Sequence, residues 1–291
     1  MLDEFLTYLS TEKRYSPHTV LAYKTDLTQA QEFFQDQYQT DFNQVNSLMI
    51  RSWVVTCVDS GNQARTIHRK VSSLKSLFKY LLKEGIIKKS PATDIPLPKI
   101  KKQLPVFVEE SKLMMLLDML SFSEDFEGKR DQLILEILYC TGIRESELIG
   151  LELKSVDFGS QLLKVLGKRN KERLIPISSQ LIETIKSYLP YRNEKAIGVN
   201  NKLLITSKGE SLYPQLVYRI VNQHLSVVSS QKKKSPHVLR HSFATHMLNH
   251  GAELNSVKEL LGHANLNATQ VYTHTTIDQL KKIYEQAHPR A

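Results

Sequence analysis

Four segments in the second half of the chain carry side chains that can act on a phosphodiester. In the first, residues 140–148, Arg144 follows closely on a helix break at Gly142. A planar guanidinium binds two phosphate oxygens at once through charge-assisted hydrogen bonds. The competing interpretation pairs Arg144 with Glu145 or Glu147 in a surface network. This segment alone leaves both interpretations open.

The second segment is the turn of a predicted β-hairpin, whose strands are residues 162–166 and 173–177. Lys168 follows Gly167 in that turn, where a lysine can enter a groove and deliver a proton. An ordinary solvated turn lysine is the competing interpretation. Three further basic residues nearby are candidates for the same role, namely Arg169, Lys171 and Arg173.

The third segment, residues 237–241, spaces His237 and Arg240 three apart, so a helix presents both on one face. Histidine transfers protons near neutral pH, and arginine stabilises charge that develops on a phosphate. A metal site of the H-E-x-x-H kind needs a carboxylate at helical spacing, which this segment lacks. We therefore predict no metal here.

In the fourth segment, Gly262 ends a predicted helix and frees His263, and a polar stretch then leads to Tyr272. A tyrosine with a pKa of about 10 is a poor nucleophile at neutral pH. It needs a base, or positive charge that stabilises its phenolate. The basic side chains of the other segments supply that charge if the fold brings them together. The competing interpretation of Tyr272 is a half-buried aromatic residue.

In this order, the four segments resemble the tyrosine recombinases, and the bacterial Xer type in particular. The resemblance also includes Ser16–Thr19 and a basic helix of the first half, so it covers nearly the whole chain. The shared patterns are T-G-x-R-x-x-E-L from Thr141 to Leu148, G-K-x-x-K-x-R-x-x-P from Gly167 to Pro176, H-x-L-R-H-x-F-A-T-H from His237 to His246, and L-G-H followed by T-x-x-Y-T-H between Leu261 and His274.

The resemblance implies a covalent reaction on DNA. Tyr272 attacks the scissile phosphodiester and forms a 3′-phosphotyrosyl bond, while Arg144 and Arg240 hold the non-bridging oxygens. Because the covalent bond stores the energy of the phosphodiester, religation needs no ATP.

Three further side chains receive roles from the same resemblance. His237 assists proton transfer, Lys168 protonates the leaving 5′-oxygen, and His263 donates a hydrogen bond to the phosphate. Side-chain cations take the place of a metal, so no cofactor is expected.

The elements that must position these side chains are predicted to be mostly helical. Prolines and lysines between residues 87 and 106 interrupt the helical pattern and indicate a basic linker. The predicted domains are 1–86, the linker 87–106, and 107–291. Apolar periodicity and cap residues predict helices near the N-terminus, from Ser16–Pro17, and over 47–60, 63–84, 109–120, 129–141, 145–151, 179–189, 212–227, 237–250, 254–261 and 277–287.

By resemblance the fold is mainly α. A helical, SAM-like core-binding domain precedes a mostly helical catalytic domain with a small β-sheet, and the two form a C-shaped clamp around duplex DNA. Four protomers, identical or paralogous, assemble on two DNA sites, and the last helix docks on a neighbouring protomer. That helix, with its apolar face from Ile277 to Ala287, packs on its own core in the competing interpretation. The sequence leaves open whether an activating DNA translocase takes part.

The net charge of +9 and a pI of about 9.3 favour a polyanionic partner. Residues 62–89 carry eight basic side chains and one acidic one. The helix over 63–84 therefore has either a solvated basic face or a face that lies along phosphates. The candidate DNA contacts on it are Arg65, Arg69, Lys70 and Lys75.

The cysteine content and the N-terminal sequence indicate the cellular compartment. Two distant cysteines, Cys57 and Cys140, are expected to be reduced core thiols and exclude a disulfide scaffold. An acidic N-terminus and the lack of a long apolar run predict a cytoplasmic protein without membrane contact.

Three other classes share parts of this pattern. A type IB topoisomerase shares the phosphotyrosyl chemistry but lacks site specificity, and a non-catalytic DNA-binding protein would share only the scaffold. A mobile-element integrase often carries an extra arm-binding domain. This chain begins at the first core-binding helix, which favours an Xer-type role in resolving chromosome dimers.

Overall fold

A computed structural model describes residues 1–100, 106–119, 122–167, 171–198, 200–231, 233–262 and 274–291. The chain divides into two compact units, Met1–Gln103 and Leu104–Ala291. The boundary falls inside the predicted linker. However, Ala92 and Ile95 of that segment are buried in the core of the first unit, so its first half packs on this unit.

The first unit is helical: α1 (Leu2–Thr11), α2 (Pro17–Tyr38), α3 (Ser47–Asp59) and α4 (Ala64–Lys83). Local capping explains two of the starts. The Ser16 side chain accepts a hydrogen bond from the Thr19 amide, and Pro17 occupies the first helical position. The Asn46 side chain caps α3 in the same way.

In the second unit a mainly helical fold surrounds a small antiparallel sheet of three strands in chain order, β1 (Val156–Asp157), β2 (Leu162–Leu166) and β3 (Glu172–Pro176). In β2 and β3, Leu162 pairs with Pro176 and Leu166 with Glu172, which confirms the predicted hairpin. The elements are α5 (Glu110–Met114), α6 (Phe126–Thr141), α7 (Glu145–Gly150), β1 (Val156–Asp157), β2 (Leu162–Leu166), β3 (Glu172–Pro176), α8 (Ser179–Lys195), α9 (Pro214–Val228), α10 (Pro236–Asn249), α11 (Leu254–Leu261) and α12 (His274–Ala287).

Three boundaries differ from the predictions for physical reasons. The helix predicted over 109–120 becomes a π-helical turn after α5, at Met115–Met119. Helix α6 starts at Phe126 because the Asp125 side chain caps the Gly128 amide. Helix α8 continues through Pro190, and the buried Arg192 secures its last turn by donating to the Lys202 carbonyl over 2.9 Å.

Both cysteines are free and buried, as predicted. Within the described ranges, no helix is both long enough and apolar enough to cross a bilayer.

The last helix packs on its own unit. The Leu280, Tyr284 and Ala287 side chains of α12 are at most 4% exposed and belong to the core of the second unit. The chain end continues into this core, with His288 and Arg290 also buried. The apolar face that the resemblance assigns to a neighbouring protomer therefore covers its own unit in this structure.

Burial of His288 predicts acid sensitivity. Its Nδ1 accepts from the Arg290 amide over 3.1 Å, so the proton sits on Nε2, which faces the Tyr139 carbonyl at 3.3 Å. Burial lowers the pKa of His288 from 6.5 to about 3, and the nearby charges of His246, Arg290 and His250 act in the same direction. The folded state thus holds the neutral ring, whereas the unfolded chain takes up a proton below pH 6.5.

Stability attributable to His288 is therefore complete above pH 6.5 and falls as the pH drops towards 3. We expect the free energy of unfolding to decrease by about 2 kcal/mol between pH 7.5 and 5, at about 1.4 kcal/mol per pH unit. Urea unfolding at both pH values measures this. His288→Phe keeps a ring but cannot titrate. An equal decrease in this variant would contradict the assignment.

Candidate active site

The chain turns sharply two residues before Arg144, at a glycine that the packing requires. Gly142 ends α6 with φ of +59°, and a Cβ there would lie 2.5 Å from Cδ1 of Phe243. A side chain is therefore excluded on both backbone and steric grounds. The sharp exit from α6 sets Arg144 at the N-terminal end of α7.

Arg144 is held by Glu147. Its backbone N–H donates to Glu147 Oε2 and its Nη1 to Glu147 Oε1, each over 2.8 Å. The Glu147 side chain is only 4% exposed, whereas that of Arg144 is 26% exposed. The ion pair considered for Arg144 thus exists, but with a buried carboxylate, and about a quarter of the Arg144 side chain still faces solvent.

Arg240 lies on α10 and approaches the same segment from the core. Its Nη1 donates to the Gly142 carbonyl and its Nη2 donates to the Leu261 carbonyl over 2.8 Å. These carbonyls end α6 and α11, where helices leave acceptors unpaired. Arg240 therefore joins the Arg144 segment to the end of α11.

The electrostatics favour an anion. Burial and, next, the positive charge of Arg144 lower the pKa of Arg240 to about 10, while Glu147 opposes this. For Glu147, burial disfavours the charged form, but Arg173 and Arg144 outweigh burial and lower the pKa. Two cations that repel each other would both be stabilised by a phosphate between them.

His237 begins the same α10 helix as Arg240, but its side chain is exposed. Burial raises the pKa of Glu145, and the charge of His237 lowers it, so the two groups interact across α7 and α10. The structure thus brings together Arg144, Arg240 and His237. The remaining three predicted site residues lie outside the described residues: Lys168, His263 and Tyr272.

The sequence pattern does not reveal the part that Arg173 plays. The pattern presents Arg173 only as a competitor of Lys168, yet the side chain is buried and binds both oxygens of Glu147. The alternation of β3 contained a signal, because Arg173 shares the buried side of the strand with Ile175. A buried arginine needs hydrogen-bond acceptors or an opposite charge around it.

Family models match both units of the chain. The N-terminal SAM-like domain of phage integrases matches residues 2–85, and the phage integrase family matches residues 108–278. The chain belongs to the phage integrase family. The resemblance to tyrosine recombinases is thereby confirmed, and this family member is a site-specific enzyme of DNA strand exchange.

Curated relatives match this chain along its full length. Tyrosine recombinase XerC of Chlorobaculum parvum is 39% identical and is matched over 100% of this chain and 94% of its own. Tyrosine recombinase XerC of Anoxybacillus flavithermus is 37% identical, over 100% of this chain and 98% of its own.

Solved structures share the fold. XerH site-specific recombinase bound to palindromic difH substrate matches with a TM-score of 0.73 at 24% identity, over 97% of this chain and 83% of that one. The Tn1549 transposon integrase in complex with transposon right end DNA matches with a TM-score of 0.74 at 19% identity, over 97% and 98%. The mainly α fold with a small sheet is confirmed.

The four candidate DNA contacts on α4 differ in how exposed their side chains are. Arg65 and Lys75 are exposed on α4. The Arg69 side chain is half exposed and pairs with the buried Asp26. For Lys70 the structure corrects the expectation of a DNA contact. This residue is 6% exposed, and its ammonium group bonds to Gln29 and lies 3.8 Å from Asp26. It is therefore not available to a phosphate in this structure.

Lys70 is buried because α4 packs on two sides. Besides the stripe through Ile67 and Leu74, a second buried row runs through Lys70, Ser73 and Leu77. Such a row contacts α2, and an apolar count along one stripe does not reveal it.

Proposed function

We propose that this enzyme exchanges strands between two specific DNA sites through a 3′-phosphotyrosyl bond at Tyr272, and that it resolves chromosome dimers at cell division. One observation carries the chemistry: Arg144 and Arg240 come from different helices and meet at the segment from Gly142 to Glu147. Paired guanidinium groups suit a phosphate whose charge grows in the transition state.

In the proposed cleavage step, the Tyr272 oxygen forms a bond to phosphorus as the bond to the 5′-oxygen breaks. Arg144 and Arg240 bind the non-bridging oxygens, and His263 donates a third hydrogen bond. Religation reverses the step with a 5′-hydroxyl from the other duplex, so the number of phosphodiester bonds is conserved.

Proton transfer completes the proposed step. His237 assists removal of the tyrosine proton, and Lys168 protonates the departing 5′-oxygen. Because side-chain cations stabilise the transition state, no cofactor is needed for this chemistry.

The biological role is inferred from relatives. The curated relatives named above are XerC recombinases at up to 39% identity, which supports dimer resolution. The second candidate is a mobile-element integrase, since the Tn1549 integrase matches as well as XerH, with TM-scores of 0.74 and 0.73. The fold does not separate the two roles.

The proposed partner is a double-stranded recombination site in the cytoplasm. Four protomers, identical or paralogous, would assemble on two sites, and an activating DNA translocase is a further candidate partner. On α4, Arg65 and Lys75 are the proposed phosphate contacts, and Arg69 joins them if DNA competes with Asp26.

Covalent trapping tests this proposal. Protein is mixed in EDTA with a nicked suicide duplex carrying the host's candidate resolution site, and complexes that survive SDS are counted. We expect trapping without divalent metal, and exchange between two short sites. Trapping that requires a divalent metal would contradict the mechanism, and relaxation without site preference would indicate a type IB topoisomerase.

A further inference from the structure

Arg173 is the most highly connected arginine around the proposed site. It is 5% exposed, and its Nη1 and Nη2 donate to Oε1 and Oε2 of Glu147 over 3.0 and 2.8 Å. Its Nε donates to the Leu260 carbonyl over 2.9 Å. One planar side chain thus joins β3, α7 and α11.

Arg144 and Arg173 compete for one carboxylate. Both donate through Nη1 to Glu147 Oε1, over 2.8 and 3.0 Å. The Arg173 guanidinium also binds Oε2 and so forms a two-point pair, whereas Arg144 reaches Oε2 through its backbone N–H. The Arg144 side chain contributes a single nitrogen. Without Arg173, Glu147 would turn towards Arg144 and form the two-point pair with it. The guanidinium edge that a phosphate needs would then be occupied.

Arg173 also fixes the end of α11. The adjacent carbonyls of Leu260 and Leu261 accept from Arg173 and Arg240 respectively. At Gly262 an added Cβ would lie 3.1 Å from Arg173 Nη1, so the chain passes closely over this guanidinium. Two arginines therefore brace α11 against the Arg144 segment.

We propose that Arg173 is a positioning residue for strand cleavage: by binding both oxygens of Glu147, it leaves Arg144 a single side-chain contact among the residues that the structure describes and keeps the rest of that guanidinium available to the scissile phosphate. This inference rests on the proposed function. Arg173 itself does not touch the phosphate in this scheme and acts through Arg144.

The test measures single-turnover cleavage by Arg173→Lys. Lysine keeps the charge but cannot form the two-point pair. The suicide duplex carries a 5′-bridging sulfur at the scissile position, whose thiolate leaves without protonation, so weak variants stay measurable. We expect a loss of about 30- to 100-fold in cleavage, with DNA affinity within about threefold of wild type; losses of this size are common when charged groups are misaligned.

A double-mutant cycle with Arg144→Ala distinguishes an effect through Arg144 from a general loss of structure. If Arg173 acts through Arg144, Arg173→Lys costs less than about threefold in the Arg144→Ala background. An equal loss in both backgrounds, or cleavage by Arg173→Lys at the wild-type rate, would overturn the inference. Failure of the wild-type protein to trap DNA would instead contradict the proposed function.

Two variants guard against misfolding. Arg192→Lys is the matched control, because Arg192 is equally buried and donates to the Lys202 carbonyl, outside the site. We expect it to cleave normally. If Arg173→Lys fails to fold, Arg173→Gln takes its place, because its amide group can donate to only one Glu147 oxygen and leaves the carboxylate in place. This variant should show the same dependence on Arg144, and an equal loss in the Arg144→Ala background would equally refute the proposal.

Discussion

Replacing Tyr272 with phenylalanine is expected to abolish covalent attachment to DNA while leaving DNA binding unchanged. Phenylalanine lacks the oxygen that forms the bond to phosphorus, whereas the ring keeps its shape. Removing a nucleophile typically costs on the order of 10³-fold or more in rate. Since Arg144 and Arg240 hold positive charge without Tyr272, the phosphate contacts should persist.

The measurement is the SDS-resistant complex on the suicide duplex, with binding followed in parallel by gel shift. Tyr191→Phe serves as the control, because the Tyr191 hydroxyl makes only a 3.4 Å hydrogen bond to the Glu124 carbonyl. This variant should trap DNA like the wild type. Equal trapping by Tyr272→Phe would mean that another residue is the nucleophile.

The buried residues at the C-terminal end of the chain are expected to stabilise the folded protein. Arg290 is buried and donates to Asp118 and to Glu136, which is 1% exposed. Burial raises the pKa of Glu136, and the charge of Arg290 lowers it. Arg290→Met would leave this carboxylate buried without its cation. We expect a loss of about 3–5 kcal/mol in the free energy of unfolding, as for other broken buried pairs.

Urea unfolding of three further variants checks the cause. In a Glu136→Gln background the charge is absent, so Arg290→Met should cost much less. Lys282→Met, at an exposed position of α12, should change stability by less than about 0.5 kcal/mol. A cost that is the same with glutamine at position 136 would show that packing, and not the ion pair, stabilises the chain end.

The buried contacts of the chain end also change the expected result of deleting residues 276–291. From the sequence, removing residues 276–291 is predicted to impair assembly and spare the folded body. The structure predicts the opposite for the folded body, because the deletion removes the buried side chains of Tyr284, His288 and Arg290. Substitutions at single exposed positions of α12 are the better test of assembly, because they leave the core of the second unit intact.

The sequence alone determined the family and most of the helices, and it predicts the set of reactive residues. Ser16 and Asn46 cap their helices through amides two or three residues away, and Gly142 ends α6 by its own backbone angle. Information of this kind is local, so it can be read without the fold. The motifs around Arg144 and Arg240 are likewise contiguous, and for this reason they reveal the family resemblance on their own.

Only the tertiary structure decided which charges are buried and with whom they pair. Arg173 meets a carboxylate 26 residues away and a carbonyl 87 residues away, and Arg290 meets a carboxylate 154 residues away. Lys70 bonds to Gln29 of α2, 41 residues earlier in the chain. Periodicity indicates that a face is buried, but the partner of a buried charge depends on long-range packing. A basic side chain whose spacing predicts an exposed position can therefore be part of the core.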